Sequence, residues 1–170
     1  MSNLRKPLRI NVGFLIHEEV GCSHEFPFRI ERIVIGPDLE LIDLDGVLSV
    51  GRAAQGLLFT GNFSAWTGLD CVRCLRPFEQ KLDWSMTELY AFNEKSVSDS
   101  GLFVPEDAQI DLQPLIRDYA LLEIPINPIC RPDCKGLCPV CGQDLNARDC
   151  GHRPDSGTST FAALRDLLPR

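Results

Sequence analysis

Five of the chain's eight cysteines and a histidine fall within one short run, CRPDCKGLCPVCGQDLNARDCGH, residues 130 to 152. Cys130 and Cys134 form C-x3-C, Cys138 and Cys141 form C-x2-C within CPVCG, and Cys150 and His152 form C-x-H. Zinc takes four sulfur or nitrogen ligands in a tetrahedron, and a two-residue gap beside a glycine lets a tight turn aim two thiolates at one ion. A second C-x2-C pair, Cys71 and Cys74 in CVRCL, lies well upstream. Any fold must therefore bring distant cysteines together or leave them as isolated thiols.

The rest of the chain is of ordinary globular composition. Its 170 residues fit one domain with a single core; hydrophobic residues make up 44% and charged residues 24%. The formal charge of −7 opposes a simple coating of nucleic acid unless basic residues gather on one face. No stretch has the roughly 18 apolar residues of a membrane helix, and MSNLRKPLRINVG lacks the apolar run of a signal peptide. The expected location is the cytosol, where thiols stay reduced and clustered cysteines read as metal ligands rather than disulfides.

Residues 26–35, 39–50 and 55–66 alternate as strands do, with turn signals at Gly36-Pro37-Asp38, Asp45-Gly46 and Gly51. A fourth strand is expected over 77–92, which places Cys71 and Cys74 at a hairpin tip. Residues 93–108 are polar and serine-rich, as a loop is. A helix follows from Asp111, a candidate N-cap, with Leu112, Leu115, Ile116, Tyr119 and Leu122 on one face, and Pro125 and Pro128 beyond its end. A short last helix is expected over 160–168, capped by Ser159 and striped by Phe161, Leu164, Leu167 and Leu168.

The expected fold is α+β: an antiparallel, strand-rich body that could close like a barrel, with a central helix, a cysteine-rich zinc-binding segment and a short C-terminal helix. Residues 1–129 would form the body and carry the first knuckle. Residues 130–170 would form the metal-binding segment and final helix, packed on that body.

Cys22 stands alone and reads as a small buried hydrophobe, while His17 and His24 read as solvated. The other seven cysteines and His152 supply eight ligands, enough for two zinc ions. Three partitions are open. Cys71, Cys74, Cys130 and Cys134 can share one ion while Cys138, Cys141, Cys150 and His152 share another. The two C-x2-C pairs can instead meet at one ion, or a single four-thiolate site can be filled. Local closure of the last group favours the first partition. A catalytic zinc would keep an open position and usually takes histidine or carboxylate ligands; an iron-containing electron carrier could also use four thiolates.

No Gly-rich phosphate loop, Ser/His/Asp arrangement or HExxH helix occurs, so the chain is not expected to be an enzyme. Basic residues do cluster near the thiols: Arg73, Arg76 and Lys81 after the first knuckle, and Arg131, Lys135, Arg148 and Arg153 around the second run. They could contact RNA or a partner, or could neutralise the thiolates.

CVRCL at 71–75, DLQPLIRDYALLEIPINPIC at 111–130, CKGLCPVCGQDLN at 134–146 and FAALRDLL at 161–168 resemble the YceD family, the large ribosomal RNA subunit accumulation proteins. The resemblance implies a bacterial, zinc-knuckle-containing factor in the synthesis, processing or stability of large-subunit ribosomal RNA. It also implies partners in that RNA or in a basic large-subunit ribosomal protein. Some members lack the later group, which again favours the first partition, and a cysteine is common where His152 stands. The rival readings are a zinc- or iron-containing redox or metal-sensing protein and an RNA-processing enzyme.

Overall fold

Alternation of leucine, valine and phenylalanine with polar residues from Phe26 onward produces four long strands in the computed structural model, which describes residues 7–93 and 101–152. The chain opens with β1 (Arg9–Asn11) and a one-turn helix α1 (Gly13–Ile16). It then runs through β2 (Ser23–Ile35), β3 (Leu39–Arg52), β4 (Gly56–Asp70) and β5 (Pro77–Ala91), and ends its regular elements with β6 (Gln109–Asp111) and α2 (Gln113–Glu123). Strands β2 to β5 form one antiparallel sheet in chain order, while β1 pairs with β6 in a small second sheet. The four-stranded sheet is open rather than a closed barrel. Among the described residues no helix is long and apolar enough to cross a membrane.

Each strand turns one face inward. Leu39, Leu41, Leu44, Leu48 and Val50 of β3 are buried with Leu57, Phe59, Phe63 and Ala65 of β4 and Leu82, Trp84 and Met86 of β5. Helix α2 packs on β5, and α1 lies against β3 and β4, so the covered face of the sheet meets Leu8, Leu15, Ile110, Leu112, Ile116 and Ala120 in one hydrophobic cluster. Burial of this kind contributes about 25 cal/mol per Å² of apolar surface removed from water, which makes it the main source of the body's stability. The opposite face stays in water, as one side of an antiparallel sheet commonly does.

Four expectations are corrected here. Asp45-Gly46 is not a turn: both residues lie inside β3, beside a register shift between Ile42 and Asp45 where Asp43 takes φ 50°. Gly46 is needed for a different reason, because a Cβ there would stand 2.4 Å from Cδ1 of Phe63 and 2.5 Å from the Asn62 carbonyl. Gly51 likewise pairs within the sheet, opposite Ser23 and Leu58, and the chain reverses at residues 53–55. Helix α2 starts at Gln113, since Asp111 closes β6 and its Oδ1 accepts the Gln113 N–H at 3.0 Å. Its buried line is Ile116 and Ala120, and Leu122 is 80% exposed. Cys22, finally, is exposed rather than buried. The turn at Gly36-Pro37-Asp38 stands, with Gly36 at φ 74° pressed by the Arg117 side chain. The helix expected over 160–168 lies outside the described residues.

Candidate metal centres

The β4–β5 connection is the knuckle CVRCLR. The Cys71 N–H bonds to the Arg76 carbonyl at 2.9 Å and the Leu75 N–H to the Cys71 carbonyl at 2.8 Å, which turns both sulfurs to one side. The CPVCG knuckle repeats the same ring: the Gly142 N–H bonds to the Cys138 carbonyl at 2.9 Å. Leu75 and Gly142 occupy equivalent places and share a left-handed backbone, φ 58° and 72°. Glycine adopts that conformation freely, whereas leucine there carries strain.

Backbone bonds lay the later segment along the first knuckle. The Val72 N–H meets the Pro128 carbonyl at 2.9 Å, and the Leu137 N–H meets the Arg73 carbonyl at 3.0 Å. At Gly136, φ 76°, a Cβ would stand 2.9 Å from that same Arg73 carbonyl, so the close approach requires glycine. These contacts bring Cys130 and Cys134 to Cys71 and Cys74. The Sγ atoms of Cys71 and Cys134 are 3.9 Å apart, and those of Cys74 and Cys130 are 3.7 Å apart.

That spacing discriminates between chemistries. A disulfide needs about 2.05 Å. Four sulfurs held about 2.3 Å from a common ion stand about 3.8 Å from one another. All four ligand atoms of this group lie within 4.8 Å of one another, as do those of Cys138, Cys141, Cys150 and His152. In the second group His152 Nδ1 is 3.4 Å from Cys150 Sγ. The structure thus brings together the two quartets of the first partition, and the two C-x2-C pairs do not share a centre. Both donor sets could hold a metal ion and are compatible with zinc.

The local fields favour the thiolate at some of these cysteines and disfavour it at others. The backbone N–H of Cys130 above all, with those of Cys74 and Arg73, lowers the Cys71 thiol to about 6 against the opposing effect of burial. The N–H groups of Cys141 and Val140 likewise lower Cys138 to about 6. Cys130 moves the other way, to about 12, because burial and then the neighbouring thiols Cys74, Cys71 and Cys134 disfavour a further negative charge. Like charges this close disfavour full ionisation of the quartet, and a cation among the sulfurs would offset that repulsion.

Two residues that the cysteine pattern does not announce join the centres. Asn146 Oδ1 accepts from the Lys135 N–H at 2.8 Å and from Arg131 at 3.0 Å, while its amide donates to Asp144 Oδ1 at 2.9 Å and reaches Cys134 Sγ at 3.5 Å. Asp144 in turn pairs with Arg76 and caps the Asn146 N–H at 2.8 Å. The sequence signal is the D-x-N after the second knuckle, since such side chains bond to backbone two residues on.

The basic residues are mostly engaged within this end. Arg73 donates to the Cys134 carbonyl at 2.9 Å, Arg76 pairs with Asp144, Lys81 pairs with Asp83 at 2.7 Å and Arg131 with Asp133 at 3.4 Å. Lys135 and Arg148 are exposed. Arg153 lies outside the described residues. His17 and His24 are both exposed, and His24 packs edge-on against Phe14 and Phe26.

An open antiparallel sheet with a four-thiol group at one hairpin tip, joined to a second group of three thiols and an imidazole, defines an α+β protein with two cysteine knuckles whose groups could hold metal ions. The chain belongs to the YceD family: the family model described as "Large ribosomal RNA subunit accumulation protein YceD" matches residues 59–168, from within β4 past both centres. An uncharacterized protein of Mycobacterium tuberculosis is 37% identical over 162 residues, covering 91% of this chain and 74% of that protein. The uncharacterized protein YlbN of Bacillus subtilis is 29% identical over 161 residues, covering 91% of this chain and 94% of its own length. Large ribosomal RNA subunit accumulation protein YCED homolog 1, chloroplastic, of Arabidopsis thaliana is 45% identical over 69 residues, 39% of this chain and 22% of that protein. No solved structure matches the chain.

Proposed function

We propose that this protein is a noncatalytic, cytosolic factor in the accumulation of large-subunit ribosomal RNA, held in shape by two structural zinc ions. The family match across residues 59–168 carries the role. The ligand spacing supports zinc: each quartet spans the shell of a single ion, with thiolate and imidazole donors. Each set already offers four protein ligands, so neither ion keeps the open position that zinc catalysis uses. Structural zinc contributes roughly 10 kcal/mol or more to folding in isolated fingers.

For the partner, the solvent face of the sheet supports a basic large-subunit ribosomal protein. Its cations Arg29, Arg32 and Lys81 are each paired with a carboxylate of that face, Asp45, Glu40 and Asp83. Glu25, Glu31, Asp43 and Glu79 add exposed negative charge. A groove of about 670 Å³ crosses β3, β4 and β5 between Asp45, Ser64 and Asp83 on one side and Val47, Asn62 and Ser85 on the other. Charge complementarity of this kind steers association and selects the partner. Lys135 and Arg148 remain as the RNA-facing cations of the knuckled end.

Depletion in cells is the test. The ratio of large- to small-subunit ribosomal RNA should fall and recover with the parent chain but not with Cys71→Ser. The double variant Asp45→Lys, Asp83→Lys should fold, bind zinc and lose copurifying basic ribosomal protein. An unchanged RNA ratio contradicts the role, and retained copurification by the double variant contradicts the partner surface. Purified protein that cleaves or modifies large-subunit RNA contradicts the noncatalytic reading.

A further inference from the structure

The two ligand groups differ in how the chain surrounds them. In the first, Cys71, Cys74 and Cys134 are 0%, 5% and 3% exposed, and Cys130 is half-buried. Phe78 and Ile129 pack over these sulfurs. In the second, Cys138 is buried, Cys150 is half-buried, and Cys141 and His152 are exposed. An incoming chelator thiol or amine must reach the ion or displace a ligand. Only the second group presents ligands at the surface for that exchange.

What each group holds together also differs. The first joins the β4–β5 tip to a segment 63 residues further on in the Cys71–Cys134 contact and 56 in the Cys74–Cys130 contact. That joint is reinforced by the Val72 to Pro128 and Leu137 to Arg73 backbone bonds and by Arg73 on the Cys134 carbonyl. The second group closes only residues 138–152, and its own backbone bonds, Cys138 to Gln143 and Gly142 to Cys138, are local. Its root at Leu137 is fixed by the first group.

We propose that the Cys138, Cys141, Cys150 and His152 group is an exchangeable zinc site, filling and emptying with metal supply, while the Cys71 group is a permanent staple of the fold. Residues 138–152 then form a metal-responsive surface element. When filled, the element holds Val140, 65% exposed, and the chain at His152 in fixed positions. When emptied, it releases both while the sheet and the first knuckle stay assembled. The inference rests on the reading that both groups hold zinc.

The test uses intact protein carrying two zinc ions, verified by elemental mass spectrometry, and follows transfer of zinc to a chromogenic chelator. Two phases of equal amplitude are expected. The fast phase should exceed the slow one by about tenfold or more, a barrier difference of about 1.4 kcal/mol. Cys141→Ser should remove the fast phase and keep the slow one. Because that variant could fold poorly, the parent is also alkylated after the fast phase alone: Cys138, Cys141 and Cys150 should be labelled, and Cys71, Cys74, Cys130 and Cys134 protected. A single phase, or labelling of the Cys71 group first, overturns the proposal. Protein that holds fewer than two zinc ions after saturation with zinc overturns the two-ion reading itself, and the exchange inference with it.

Discussion

Between Ser23 and Ala91 the strands bury alternate side chains, whereas between Pro128 and His152 only Cys134, Gly136 and Cys138 are buried. The first region is ordered by hydrocarbon removed from water and by ladders of backbone bonds. The second has neither a regular helix nor a long strand; it is tied by turns and by the Asn146 and Asp144 network, and six of the eight side chains in the two groups that could hold metal ions lie in it. A segment this poor in apolar burial cannot offset its own conformational entropy. The lesson is that one chain relies on two independent sources of order, joined at a single hairpin tip.

Complete removal of metal should separate them most sharply. Amide hydrogen exchange in residues 128–152 should rise toward unprotected rates, in keeping with a loss of roughly 10 kcal/mol per structural ion, while β3 and β4 amides keep their protection. Loss of protection in both regions together would mean that the sheet also depends on the metal. The converse perturbation is Phe59→Ala, a fully buried ring in β4. It should destabilise the body by about 3–5 kcal/mol in urea unfolding and leave the metal content of the folded protein unchanged.

The legible part of this molecule follows the same division. The strands were readable because burial on one face imposes a period of two, and Leu39, Leu41, Leu48 and Val50 keep that period. The bulge beside Asp43 breaks it for a few residues, and there Asp45-Gly46 looked like a turn. Only the three-dimensional approach of the Phe63 ring explains that glycine. The pairing of β1 with β6 was not legible, because three-residue strands far apart in the chain carry no periodic signal. At the knuckled end, ligand spacing identified the donor residues and locality favoured their grouping. The hub at Asn146 was missed because a polar side chain's partners are set by the folded backbone, not by pattern.

Smaller changes refine the comparison within the sheet. Gly46→Ala should cost about 1–3 kcal/mol, since the new methyl meets the Phe63 ring and the Asn62 carbonyl. An unchanged unfolding midpoint would show that the bulge absorbs it. The least effect is expected at alkaline pH. Burial, then the nearby Glu88 and Asp111 charges, raise Tyr90 to about 12, and burial with the Glu88 hydrogen bond raises Tyr119. A tyrosine raised in the folded state keeps its full stabilisation below the unfolded value near 10 and loses it as pH climbs toward the folded value. Absorbance at 295 nm should therefore show less than half of the full phenolate signal at pH 10, and stability should decline as pH rises above that. Half-ionised tyrosine at pH 10 in folded protein would contradict the packing of β5 against α2.

The most direct test is the metal content of protein saturated with zinc and then freed of unbound metal. Two zinc ions per chain are expected, with one lost in Cys71→Ser and a different one lost in His152→Ala. A single ion unaffected by His152→Ala, or tightly held iron that zinc does not displace, would contradict the two-centre reading.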